Sequence, residues 1–400
     1  MAPATEGSLT IKETNEIGTT IATYVCSSSS VERALQPSYR AEDVAIISQP
    51  QPSSTSYLTS LLNVFLPAGY PHSVTEDYLE YQIYDSLQAF SSSIAGLLSS
   101  RAVLQGVGVG DATASPTAAL LLNVLQESMG RIATILFAHR LGTSLEPECK
   151  MYRLAADVLN DSAMILDCLS PAFPKPVRVV FLSLSSVLRA LCGVAAGSSK
   201  ASLSAHFARW GNLGELNAKD SSQETVISLI GMLVGSVVVS YVSSPLATWT
   251  ALLFLLTVHL ATNHAAVRAV NMSTLNRQRA NIVFSVLFED DRVLTPAQAS
   301  KEERIFEKDG VLRWKAESTA VLGTCQIGVS LEQLLLLLPS QSNDDCGDER
   351  KVGPNIDTDI SLEALIDIFK EEEYILYFNP LSRVGAIVLK AGVSPQSQLK

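Results

Sequence analysis

Ionisable side chains set inside apolar stretches are the residues of this chain best equipped for chemistry. Glu127 and Arg131 stand at i and i+4 in the apolar run from Thr117 to Leu141, so they can pair on one helix face. Lys150, Arg153, Asp157 and Asp161 recur at near-helical spacing and draw a polar stripe along the next segment. That stripe fits either a solvated helix face or a seam lining a cavity. Arg189 interrupts a further apolar helix. Charged groups inside membrane segments are costly and by default functional. Asn212, Lys219, Asp220, Gln223 and Glu224 crowd the polar stretch ahead of the most apolar part of the chain.

The sequence GVGVGD places Gly106, Gly108 and Gly110 ahead of Asp111. A dinucleotide fingerprint needs its glycines after a strand. These follow a predicted helix, so a helix-breaking linker or a close helix contact fits better. His72, His139, His206, His259 and His264 show no H-x-x-x-H or H-E-x-x-H spacing. His259 and His264 diverge on a helix and share no metal. No G-x-S-x-G or phosphate-loop pattern occurs. A lysine Schiff base to pyridoxal phosphate at Lys150 or Lys219 has no cofactor pattern around it. No catalytic set, metal site or cofactor is expected, and the chain is not read as an enzyme.

The elements that must position these groups are helices. Val226–Val242 and Leu246–Thr262 form two apolar stretches around Ser243-Ser244-Pro245, and no Asp, Glu, Lys or Arg occurs between Glu224 and Arg268. Each is at the short end of what crosses a bilayer. Upstream, Ser73 with Glu76 reads as a capping box for a helix running through Leu87 toward Leu104. Helices follow over Thr117–Leu141, Lys150–Leu169 and Val177–Ala196, with a short one over Ser198–Trp210. After Ile282 the pattern changes. Val311–Trp314, Thr324–Val329, Tyr374–Phe378 and Ala386–Lys390 read as strands. Ser330 with Gln333 caps one helix, and a second spans Leu362–Glu372. Residues 341–357 form an acidic polar loop. Residues 1–56 are rich in Ser, Thr and Pro and read as flexible chain, with a short strand over Ala22–Val25.

Composition agrees. The 400 residues are 47% hydrophobic and 17% charged, against about 25% charged in a soluble domain, and mean hydropathy is +0.23. A net charge of −11 argues against nucleic acid as a partner. The six cysteines include no C-x-x-C pair, which suits a reducing, intracellular setting. Met1–Ser30 has no basic region leading into an apolar core, and its acids outnumber Lys12, unlike a transit peptide. The expected fold class is mostly α: a polytopic membrane helical core at 57–290, with a small C-terminal α+β cytosolic domain at 291–400. The expected location is integral to an intracellular membrane. Arg209 and Lys219 before the apolar hairpin, and Arg268, Arg277 and Arg279 after it, place both its ends on the cytoplasmic side.

The stretch FLPAGYPHSVTEDYLEYQIYDSLQAF, then GVGVGD, KMYRLAADVLND and NLGELNAKDSSQE in that order, resembles the root UVB sensitive family. The match runs over roughly Tyr57–Val239. EEYIL near the C-terminus is also similar to family members. The resemblance implies membrane association and a part in vitamin B6 photoprotection and homeostasis. In plants it implies plastid location, light response and auxin traffic. Where family members carry Asp after N-L-x, Glu215 stands here, keeping the charge with a longer reach.

Three function classes compete. The first is a membrane protein that carries, or helps carry, a small polar solute such as a B6 vitamer. The second is a membrane-anchored scaffold whose C-terminal domain binds a family paralogue or another protein. The third, an enzyme, has no motif behind it. Under the first, the family motifs meet around one polar site. Its acids are Asp111, Asp157, Asp161 and Glu224, and its bases Lys150, Arg153 and Lys219. The glycine segment supplies backbone N–H groups. The competing reading is a set of separate contacts that only hold helix ends, with Asp157→Asn separating the two.

Overall fold

The computed structural model describes residues 65–108, 115–307, 310–314, 321–338 and 361–391, and the backbone of strands at 9–14, 20–26 and 44–48. The chain divides into two compact units, Met1–Ala269 and Val270–Lys400. Among the described residues it is mostly α, with ten α-helices and two small sheets.

The first unit contains six long helices: α1 Tyr78–Val107, α2 Pro116–Leu141, α3 Cys149–Leu169, α4 Lys175–Phe207, α5 Leu213–Tyr241 and α6 Pro245–Ala269. Their side-chain pairings give their directions. Gln82 meets Asp220, Gln88 meets Asp157 and Ser99 meets Asp167, in rising order along α1. Thus α3 and α5 run with α1. Arg178 reaches Gly106, Arg189 reaches Ser99 and His206 reaches Asp77, so α4 runs against it. Ser186 donates to the Gln126 carbonyl, and Gly130 packs on Ser186 and Ala190, which sets α2 alongside α4. Thr248 meets Arg101 while Asn263 meets Asp157, so α6 also descends. The helices alternate up and down. Below, the near end is where α1 begins and α6 finishes.

Four of the six, α2, α4, α5 and α6, are long and apolar enough to cross a membrane. Their surfaces are largely open: the most apolar window of α2 is 6% buried and that of α5 11%. Leu121, Ile132, Ile135, Leu233, Val237 and Phe254 all face outward. In contrast, α3 buries Lys150, Asp157, Asp161 and Asp167. Polar α3 lies inside and apolar helices outside, the reverse of a water-soluble bundle. Ala95, Leu98, Met164, Leu252 and Leu256 form the apolar core where α1, α3 and α6 meet. Helix α5 lies close against α1 through Gly231 and Gly235. A Cβ at 231 would stand 2.7 Å from Ser93 Cβ, and one at 235 would stand 2.8 Å from Leu97 Cδ1. Small residues four apart allow this approach of two backbones. The sequence reading did not single out that pair.

Several boundaries differ from expectation for identifiable reasons. Ser73 does not cap α1; Asp77 stands at that position. The backbone at 73–75 is committed elsewhere, since Arg209 N–H donates to Ser73 O and Thr75 N–H to Phe207 O. The expected helices over Val177–Ala196 and Ser198–Trp210 are one continuous helix, α4. The polar stretch from Leu213 forms the first turns of α5, so the hairpin helices have 29 and 25 residues. Residues 9–14, 20–26 and 44–48, in the stretch expected to be flexible, form a three-stranded antiparallel sheet in the order β1-β2-β3. The acidic loop at 341–357 lies outside the described residues, as do Gly110 and Asp111.

In the second unit α7 (Arg277–Asp290) and α8 (Pro296–Glu302) precede a four-stranded sheet. The sheet comprises β4 (Val311–Arg313), β5 (Val321–Ile327), β6 (Tyr374–Asn379) and β7 (Val384–Leu389), in the order β4-β5-β7-β6. Strands β5 and β7 are parallel and the other pairs antiparallel. Short helices α9 (Leu331–Leu335) and α10 (Leu362–Ile368) cover it through Leu334, Leu365, Ile375, Tyr377 and Ala386. The Ser330–Gln333 capping box is formed. Arg279 makes a buried ion pair with Glu303 at 2.7 Å.

Candidate functional site

Arg153, Asp157 and Asp161 share one face of α3 at helical spacing, and that face turns into the bundle. Arg153 bridges two carboxylates, Asp85 on α1 at 2.7 Å and Asp157 at 3.1 Å. Asp157 Oδ2 also accepts hydrogen bonds from Gln88 on α1 and Asn263 on α6. His259, one turn before Asn263, lies between the two aspartates. Its Nε2 is 3.5 Å from Asp157 Oδ2 and its Nδ1 is 2.8 Å from Asp161 Oδ1. Both Asp161 oxygens, His259 Nδ1 and Asn263 Oδ1 are buried without a hydrogen bond among the described residues. Buried polar atoms are normally satisfied, so a cluster of four unsatisfied ones calls for an explanation.

A second network closes the near end. Lys200 on α4 pairs with Asp220 at 2.7 Å and Glu224 at 2.8 Å on α5. Gln82 donates to Asp220 and Gln223, and Gln223 donates to the Phe65 carbonyl. Glu215 accepts from Ala68 N–H, so the longer carboxylate anchors the segment before α1. Asp77 and His206 pair at 3.0 Å, both buried. Tyr78 and Tyr81 pack on Phe207 beside them.

A third group lines a cleft of about 610 Å³. Ser93, Leu97 and Ser100 of α1 with Met164 and Asp167 of α3 form its floor, Arg189 of α4 one wall, and Ser228 and Met232 of α5 the other. Helices α4 and α5 meet through the Lys200 pairs with Asp220 and Glu224. Asp167 is buried and holds Arg189 at 2.5 Å, while the arginine side chain is 43% exposed. Arg189 also donates to Ser185 and Ser99. Nε–H and one Nη1 N–H are left without an acceptor among the described residues. Arg101 donates to the Val239 and Val242 carbonyls and to Thr248. Arg178 donates to the carbonyls of Gly106, Ser170, Pro171 and Phe173. Among the described residues neither has a carboxylate partner. Three arginines therefore face one carboxylate toward the far end.

The motif residues fall into distinct places. Arg153, Asp157 and Asp161 meet in the buried cluster, with Lys150 buried one turn earlier. Asp220, Gln223 and Glu224 meet in the near-end network, and Lys219 neighbours Asp220 on α5. Asn212 stands at the start of α5 with its amide buried and unbonded. Glu127 and Arg131 pair with each other at 3.2 Å on the exposed face of α2, apart from both networks. Gly106 lies in the last turn of α1, where its carbonyl receives Arg178. Gly108 ends that helix in the left-handed region at φ 93°, the helix-breaking role. Among the described residues no set of His, Cys, Asp and Glu is grouped to hold a metal ion. Sequence reasoning left His259, Asn263, Gln88, Asp85 and Lys200 out of the site. His259 and Asn263 at i and i+4, within an otherwise uncharged apolar helix, were the available signal.

The vitamin B6 photo-protection and homoeostasis domain matches residues 51–291. RUS family member 1 of Dictyostelium discoideum is 39% identical over 256 residues, 63% of this chain and 49% of its own length. Root UVB sensitive 3 of Arabidopsis thaliana is 35% identical over 275 residues, 68% of this chain and 62% of its own length. Root UVB sensitive 2 of the same plant, a chloroplastic protein by its name, is 27% identical over 259 residues, 64% of this chain and 59% of its own length. The chain thus spans about half to three-fifths of these relatives. No solved structure matches it. Motif order, domain match and relatives agree that the chain belongs to the root UVB sensitive family.

Proposed function

We propose that this chain is an integral membrane protein that carries, or helps carry, a small polar solute in vitamin B6 homeostasis. The cleft between α4 and α5 carries the reading. Its volume, about 610 Å³, falls in the range of small-molecule sites. Its lining is apolar apart from serine hydroxyls and the Arg189–Asp167 pair. The two Arg189 donors without an acceptor among the described residues favour an anionic group on the solute. Arginine suits phosphate and carboxylate through its planar fork. A phosphorylated B6 vitamer has such a group on a small aromatic body. The domain description of the family supplies the vitamin; the cleft supplies a place for it.

Flux through reconstituted protein tests the reading. Proteoliposomes loaded with pyridoxal 5′-phosphate should release it faster than protein-free vesicles loaded the same way. Arg189→Ala should slow that release by at least about tenfold, an effect of ~1.4 kcal/mol. A deletion strain should show altered B6 vitamer pools. Absence of flux together with unchanged pools would favour a membrane-anchored scaffold instead.

A further inference from the structure

The geometry points to a proton-binding site in the heart of the bundle: one proton held between His259 Nδ1 and Asp161 Oδ1. This goes beyond the carrier reading and needs no solute. The side chains of Asp85, Arg153, Asp157, Asp161 and His259 are all largely buried, from 1% exposed for His259 to 15% for Asp85. Three carboxylates stand against one guanidinium. The other groups near the cluster do not restore the balance. Tyr81 from α1 and Cys192 from α4 lie within electrostatic reach and are uncharged as phenol and thiol. Gln88 and Asn263 are neutral. Arg189 on α4 is held by Asp167, and Asp220 by Lys200. Even if buried Lys150 is counted as a second cation, one negative charge remains while His259 is neutral.

An uncompensated buried charge is among the costliest features a fold can carry. A group so placed takes up a proton rather than stay charged alone. The geometry says where. Asp157 Oδ2 already receives two hydrogen bonds and Oδ1 a guanidinium N–H. Neither oxygen of Asp161 receives one, although His259 Nδ1 is 2.8 Å from it. Asp161 is the acceptor lacking a proton donor, and His259 is the group that can carry the proton. The neighbours divide the work: Asp157 orients one side of the cluster and leaves Asp161 free to exchange.

The test is a spectrum of the full chain in phosphatidylcholine nanodiscs with ¹⁵N-labelled histidine. At neutral pH one imidazolium signal is expected that His259→Gln removes. Raising the pH should release that proton in a single event. Asp161→Asn, which keeps the shape but not the charge, should abolish the imidazolium at neutral pH in protein that still elutes as the wild type does on size exclusion. If either variant fails to fold, the wild-type spectrum still decides, because the other four histidines can be replaced in turn. A neutral His259 across the whole pH range would overturn the assignment. So would a His259 signal that responds to sodium at fixed pH, because the site would then hold a metal cation.

Discussion

Asp157 and Asp161 are one turn apart on α3, and their surroundings separate their roles. Asp157 joins three helices, accepting from Gln88 of α1, Asn263 of α6 and Arg153 of its own helix. Its substitution by asparagine replaces one acceptor oxygen with a donor and leaves Asp85 as the one carboxylate on Arg153 among the described residues. Breaking a buried pair from one side costs about 3–5 kcal/mol. Asp157→Asn should therefore lower both the melting temperature and the steady-state amount of protein. An abundant, normally melting variant would refute this bracing role. The expected loss of stability assigns Asp157 a bracing role and leaves Asp161, the other α3 member of the expected acidic set, as the functional carboxylate. Arg153, Asp157 and Asp161 were legible because charges at helical spacing stand out in an apolar chain. His259 and Asn263 were not, because a histidine and an amide carry no formal charge and their partners lie about a hundred positions away.

At the scale of elements, the contact of α1 with α5 is set by absent side chains. Gly231 and Gly235 let the two backbones approach closely, and a side chain at either position would meet α1 within 3 Å. Gly231→Val should push α5 away from Phe90 and Ser93 and destabilise the bundle by about 1–3 kcal/mol, the usual cost of overpacking. Gly193→Val on α4, where nothing lies within 4 Å, is the matched control and should melt as the wild type does. Equal melting of the two variants would remove the close-packing argument. The helices themselves were legible from apolar runs and from the break at Pro245. The start of α1 was not. The Ser73–Glu76 pattern satisfies a local rule, but the 73–75 backbone bonds to 207–209 instead. A long-range strand-like pairing outcompeted the local cap, and no short window contains both partners.

The whole bundle has a direction. Its six helices alternate, so Tyr78 and Ala269 emerge at the same end. Arg140, Lys150, Arg209, Lys219 and Arg268 cluster toward that near end. The far-end connections at 170–174 and 242–244 contain no Lys or Arg; Arg101, Lys175 and Arg178 stand in the helix turns at that end, with Arg101 and Arg178 bound to backbone carbonyls. Hydropathy identifies only four of the six helices because α1 and α3 carry the charges of the buried cluster, Asp85, Arg153, Asp157 and Asp161. Length does not exclude them: the 21 residues of α3 extend about 32 Å, roughly the thickness of a bilayer's apolar core. The positive-inside rule then turns the near end toward the cytoplasm. Cysteines placed singly at Gly211 and Ser243, with the native cysteines changed to serine, test this. In sealed vesicles of known orientation, a membrane-impermeant maleimide should reach position 211 from the cytoplasmic face only and position 243 from the opposite face only. Carbonate washing should leave the protein in the membrane. Labelling of both positions from one side would show that the α5–α6 pair does not cross. The exposed apolar faces of α2, α5 and α6 would then have to be covered by protein rather than by lipid.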